Sequence, residues 1–207
     1  MKNLLLIVMM GIGFISYSQL TYQEEKVWEL CVHAKWQTTQ NVTYDRSYRV
    51  IDYPNGDVPD NIGVCTDVII RAYRFIGIDL QQLVHESVKK NLRYYYPRPG
   101  KDYGEKPDAN IDHRRVMVLK KWLKLHHPDC QIASNGTYEP GDLIFWHNWH
   151  IAILIDKKVP GTSRYYAVHN VGEGPVVEDI YYDPSQYGLE HYRLRFKYPI
   201  NFKNLKL

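Results

Sequence analysis

Cys65 stands in the stretch NIGVCTDVII (61–70), directly after a turn containing Gly63 and directly before an apolar pattern of helical period. A thiol at a helix start feels the partial positive charge of unpaired backbone N–H groups, which favours thiolate and makes sulfur a competent nucleophile near neutral pH. Asp67, two residues on, works against this, because a carboxylate in the same turn favours the protonated thiol. A histidine partner is then required, with a third polar group to orient its imidazole. His150 opens HIAIL (150–154), and His169, followed by Asn170, closes YYAVHN (165–170). If these strands are neighbours, as short connections favour, the histidines reach the same end of a sheet. Adjacent strand residues point to opposite faces, so only one of His169 and Asn170 can aim at His150, and alternation alone does not choose.

The elements that must position these groups follow from periodicity. Val68, Ile69, Ala72, Tyr73 and Ile76 predict a helix from Cys65 to Ile76, with Gly77 placed to end it. Upstream, residues 20–38 put Val27, Leu30, Cys31 and Ala34 on one helical face, with Thr21 and Glu24 at capping-box spacing and Trp36 off the stripe. SYRVIDYP (47–54) reads as a short strand and residues 55–63 as a loop. Residues 79–95 predict a helix capped by Asp79, 96–112 a long loop with three prolines and two glycines, and 111–127 a further helix. After EPGD (139–142) the pattern turns to strands: LIFW and HIAIL around a tight connector at His147-Asn148, then 164–172 and 191–196. Helices first and antiparallel strands second predict an α+β fold.

Composition narrows the partners. A net charge of +3 with no basic run makes nucleic acid a poor partner. Lys2, the apolar run at residues 4–15 and small residues at 16–18 predict a signal peptide over 1–18, with the mature chain beginning near Gln19. A run of that length is too short to span a bilayer, which takes about 20 residues. The expected product is an exported protein, periplasmic or secreted, with no membrane association after cleavage. Residues 19–207 then form a single domain, expected to act as a monomer. Outside the cytoplasm thiols tend to pair. Cys31, Cys65 and Cys130 allow at most one bridge, and Cys31 is read as packed or bridged to Cys130. The 18 tyrosines and 5 tryptophans suit either a sugar- or peptide-binding cleft or half-buried sheet surfaces.

The segment PDANIDHRR (107–115) crowds Asp108, Asn110, Asp112, His113, Arg114 and Arg115 together. Arg114 is placed either to grip a substrate carboxylate in a bidentate fork or to pair within the segment. Asp67, Asp112, His113 and Arg114 are accordingly the candidates for holding substrate. No metal is expected: the cysteines lack ligand spacing, and His147 and His150, three apart on a strand, face opposite sides. His126-His127 reads as the solvated end of its helix.

GVCTD opening a helix, then EPGDLIFW, HIAILID and HNVG, in that order, resemble the papain-like cell-wall hydrolases of the NlpC type. GVCTDVIIRAYRFIGIDLQQLVH, PDANIDHRR, HNVGEG with ED, and HYR look like the YijF-like group of exported bacterial proteins, a domain of unknown function, over about residues 45–196. The resemblance implies a papain-like fold of N-terminal helices packed on a mainly antiparallel sheet. It further implies Cys65 as nucleophile, His150 as general base, His169 as the residue orienting it with Asn170 as competitor, and no cofactor. The implied activity is cleavage of amide bonds in peptidoglycan-derived peptides through an acyl-enzyme. A non-catalytic wall- or glycan-binding protein, or an acyltransferase using the same Cys-His pair, are the alternatives. Cys65 and His150 are further apart in sequence than in compact NlpC domains, the extra length being an insertion at 79–138, which bears on the substrate.

Overall fold

Helix α1 (Tyr22–Gln37) begins where Thr21 and Glu24 satisfy each other's backbone N–H groups, the reciprocal cap their spacing predicts. The computed structural model describes residues 20–98, 106–133, 136–180 and 189–193. The expected signal peptide at 1–18 lies outside the described residues, as do residues 194–196 of the strand expected at 191–196. Along α1, Leu30, Cys31 and Ala34 are buried and Trp36 is exposed. Helix α2 (Cys65–Phe75) follows its predicted periodicity and ends at Gly77, whose φ of 85° an L side chain resists. Gln37 at the end of α1 donates its side-chain N–H to the Val68 carbonyl, which ties the two helices together.

Three expected elements differ from the observed ones. The predicted strand at 47–54 does not form, because side chains rather than a neighbouring strand take up its backbone groups. Asn110 accepts from the Ile51 N–H, and Gln81 donates to the Asp52 carbonyl. Val50 accordingly stands 83% exposed. Short parallel strands β1 (Thr43–Tyr44) and β2 (Ile62–Gly63) pair instead. The helix predicted over 79–95 divides into α3 (Leu80–Lys90), capped by Asp79 as expected, and α4 (Leu92–Tyr95). Asn91 makes the break, since its backbone and side-chain N–H groups both turn back to Ser87 O. The helix predicted from 111 starts later, as α5 (Val116–His126), after a 3-10 turn at Asp112–Arg114. Asp112 forces that delay: its carboxylate accepts from Asp108 N–H and Tyr96 O–H, fixing a turn where the helix would have begun.

The remaining strands are β3 (Gln131–Ile132), β4 (Leu143–Trp146), β5 (His150–Lys158), β6 (Tyr165–Asn170), β7 (Pro175–Glu178) and β8 (Leu189–Tyr192). They form one antiparallel sheet in the order β3-β8-β4-β5-β6-β7, so the protein is α+β. Strand β7 was not foreseen. Alternation splits the sheet cleanly. Leu143, Phe145, Ile151, Ile153, Ile155 and Val168 pack with the helices, while Ile144, Trp146, Ala152, Leu154 and Ala167 form a smaller cluster on the other face. Burial of each large apolar side chain on the helical face stabilises the fold by about 1.5–3 kcal/mol. Cys31, Cys65 and Cys130 are all free and buried, so Cys31 is packed rather than bridged. No described helix is long and apolar enough to cross a membrane.

Candidate active site

Cys65 is the first residue of α2, and Val64 before it is extended. The helix start is built around Asp67. Its carboxylate accepts the Val64 N–H at 2.7 Å and receives the Arg114 guanidinium through two bonds, Nε at 2.8 Å and Nη2 at 2.9 Å. The Thr66 hydroxyl donates to the Arg114 carbonyl at 2.9 Å, so the 3-10 turn and the first turn of α2 are clamped together. A Cβ on Gly63 would approach the Asp67 carboxylate to 3.4 Å and its Cβ to 3.3 Å, so the bare backbone there lets the clamp close. Arg114 is therefore committed to Asp67 in a buried pair and does not present its guanidinium to a cleft. Asp112 and His113 are buried as well, Asp112 holding Tyr96 and His85. Of the four residues expected to hold substrate, all act here as internal structure.

Cys65 is buried, with 4% of the residue exposed. Burial pushes its pKa up, to about 11, and Asp67 adds to the rise; the backbone N–H groups of Ile151, Thr66 and Cys65 itself act the other way. The expected preference for thiolate is thus outweighed by desolvation. The pKa of the Tyr44 hydroxyl is raised, first by burial and then by the charge that Cys65 would carry as thiolate.

His150 and His169 come together: His150 Nε2 and His169 Nδ1 are 3.0 Å apart. His169 Nε2 in turn lies 2.8 Å from the Glu178 carboxylate on β7. A carboxylate only accepts, so His169 Nε2 carries the proton and its Nδ1 accepts from His150 Nε2–H. The chain of bonds leaves the lone pair of His150 on Nδ1. Burial and the neighbouring His169 lower the His150 pKa to about 4, and burial lowers that of His169 against the opposing pull of Glu178. Two indoles flank His150: Trp146 at 5.2 Å, and Trp149, itself 63% exposed, stacked at 5.7 Å. Asn170 faces the other way, as alternation requires, donating to the Gly63 carbonyl at 3.3 Å and so holding the segment before Cys65 against β6.

Cys65 meets β5 at the Ile151 backbone N–H, one residue from His150, and no hydrogen bond joins the thiol to the His150 ring. Alternation is the cause: Ile151 and Ile153 face the helices, so His150 starts on the opposite face, at the very edge of the sheet. Among the described residues no group of histidines, cysteines and carboxylates is arranged to hold a metal ion.

Glu178, Tyr44 and Trp149 are site residues that sequence reasoning missed. For Glu178 a signal existed: GEGPVVE after HNV is a glycine turn followed by a return strand, on which Val176 pairs with His169 and Glu178, opposite Ala167, lies diagonally from His169 on the same face. Glu178 also lines a cavity of about 630 Å³ along the β6–β7 hairpin, with Gly172, Glu173, Gly174 and Val176.

The fold and site define an α+β domain with a helix-start cysteine beside a histidine relay on an antiparallel sheet. The chain belongs to the family described as "Domain of unknown function (DUF1287)", whose model matches residues 31–194. It is 39% identical over 166 residues to the Escherichia coli (strain K12) protein described as "Uncharacterized protein YijF", a match spanning 77% of this chain and 78% of that one. No solved structure matches the chain.

Proposed function

We propose that this chain is an exported cysteine hydrolase with an NlpC-type, papain-like arrangement, cleaving amide bonds in cell-wall peptides. The observation that carries the reading is the His150–His169–Glu178 chain of hydrogen bonds, which leaves an unprotonated Nδ1 on the residue next to the strand amide that meets Cys65. In the resting site thiol and imidazole are both neutral. Substrate binding must therefore bring His150 Nδ1 onto Sγ, working against the bond by which Lys120 holds the His147 carbonyl. Nδ1 takes the thiol proton as sulfur attacks the carbonyl carbon, and the imidazolium is steadied through Nε2 by His169 and then Glu178. The backbone N–H of Cys65 at the helix start stabilises the oxyanion. Nδ1 returns the proton to the leaving amine, and a water activated by the same nitrogen releases the acyl group. Cys65→Ala is expected to abolish release of new amino groups from a peptidoglycan fragment, and unchanged cleavage would sink the mechanism.

A second reading has its own observation. The buried thiol with no hydrogen bond to His150 also suits a non-catalytic wall- or glycan-binding protein on the same scaffold. That protein would sediment with sacculi and release nothing from them.

A further inference from the structure

Arg114 is spent on Asp67, so a carboxylate arriving beside Cys65 has to find its cation elsewhere. Arg71 and Arg74 are bound to Asp57, Arg164 to Asp179, and Arg193 to Asp142 and Glu139. Arg46 differs from these: it is exposed, and among the described residues it makes no hydrogen bond, ion pair or ring contact. The β1–β2 pair brings it to the thiol. Tyr44 lies opposite Gly63, two residues before Cys65. The next N–H, that of Asp45, continues the ladder to the Gly63 carbonyl at 3.3 Å, the same oxygen that accepts from Asn170 beside His169. Arg46 therefore follows directly on the point where the segment before the thiol is tied to the strand carrying His169.

Side chains alternate along extended backbone, so Tyr44 and Arg46 share one side and Asp45 takes the other, where it accepts the Ser47 N–H and pairs with Arg49. The charges agree with that sorting. Burial and then Cys65 raise the pKa of the Tyr44 hydroxyl, and Arg46 is the group that pulls against the rise. The phenol thus stays protonated at neutral pH and is a donor. Tyr44 is half-buried, and its hydroxyl too has no hydrogen bond among the described residues. Two unspent donors, an O–H and a guanidinium, therefore stand on one side of β1 next to the helix start. The guanidinium donates only, and its planar fork matches two oxygens of a carboxylate.

We propose that Tyr44 and Arg46 form a carboxylate-binding pair beside Cys65, the guanidinium and the phenol O–H donating to one carboxylate of the peptide substrate. That the carboxylate belongs to a substrate rests on the hydrolase reading. Binding is measured by calorimetry at pH 7 on the full chain carrying Cys65→Ala, so that no turnover intervenes. The probes are a peptidoglycan stem tripeptide with free carboxylates and the same peptide with its carboxyls amidated. The acid form is expected to bind about tenfold tighter or more. Arg46→Gln is expected to remove that preference and Tyr44→Phe to reduce it about threefold, while the amide form moves by less than about twofold in either. Binding of neither probe, equal binding of both, or a preference that either variant leaves intact overturns the proposal. Since neither polar group is bonded among the described residues, both variants are expected to keep the parent's urea midpoint, so a lost preference is not lost folding. The pair and the hydrolase fail separately. A wild-type chain that releases no amino groups, with a preference that Arg46→Gln abolishes, keeps the pair and removes the hydrolase. Cleavage with equal affinity for the two probes does the reverse.

Discussion

Two carboxylates sit at the two halves of the candidate site, and they are used in opposite ways. Asp67 is sealed: its side chain is 2% exposed, that of its partner Arg114 is 3% exposed, and both carboxylate oxygens are bonded. Glu178 is open: its side chain is 60% exposed and it ends a chain that begins at His150. A sealed pair fixes geometry, because any departure strands a charge in a medium that does not solvate it. An open-ended chain fixes only which nitrogen carries which proton, and it lets the last member exchange with solvent. The thiol side of the site is therefore held in position, and the imidazole side is the one whose protons exchange with solvent.

The largest effect is expected at the sealed side. Arg114→Met leaves Asp67 buried and unpaired and should cost about 3–5 kcal/mol, read from urea unfolding. Adding Asp67→Asn should recover much of that loss, whereas a cost below about 1 kcal/mol would show that the clamp is not sealed. On the open side, the proposed mechanism expects His150→Gln to lower kcat/KM for amide cleavage by about 10²–10⁴-fold while moving the urea midpoint far less than Arg114→Met does. Equal losses of stability in the two variants would erase the distinction between the halves.

Acid should also act on the imidazole side. The folded-state pKa of His150 is lowered to about 4 and that of His113 to about 3, and His33, His127 and His169 are lowered too, mainly by burial. An unfolded histidine titrates near its ordinary value of about 6.5. Between that pH and about 4 the unfolded chain binds more protons than the folded one, so stability falls as pH drops through this window. Urea midpoints at pH 7.5 and 5 that coincide would contradict the burial of these rings. The smallest effect is expected at Glu178, where exposure weakens the bond. Glu178→Ala should reduce kcat/KM by no more than about tenfold. Because Glu178 supports the charged form of His169, its removal should lower the His169 pKa further, measurable by NMR titration.

What the sequence disclosed follows the range of the forces involved. The α1 cap, α2 with Cys65 at its first residue and the strands carrying His150 and His169 are set by neighbours within four residues, and they are where spacing puts them. The strand expected at 47–54 and the helix start expected at 111 failed for the opposite reason. Distant side chains, Asn110 and Gln81 in one case and Tyr96 in the other, captured the backbone or its cap. Arg114 was legible as a fork but not as one already filled, since its partner lies 47 residues away. The choice between His169 and Asn170 needed the register, which sends Asn170 to Gly63 and His169 to His150.

The segment 79–138 reads in the sequence as an insertion, yet it reaches both halves of the site. Arg114 comes from it to hold Asp67, and Lys120 on α5 donates to the His147 carbonyl in the hairpin that carries His150, while also pairing with Glu190 on β8. The added length is thus not a detachable module. A shortened version trimmed to the helix-start cysteine and the sheet would lose the braces at both ends at once, and engineering a minimal domain from this chain has to begin by replacing them.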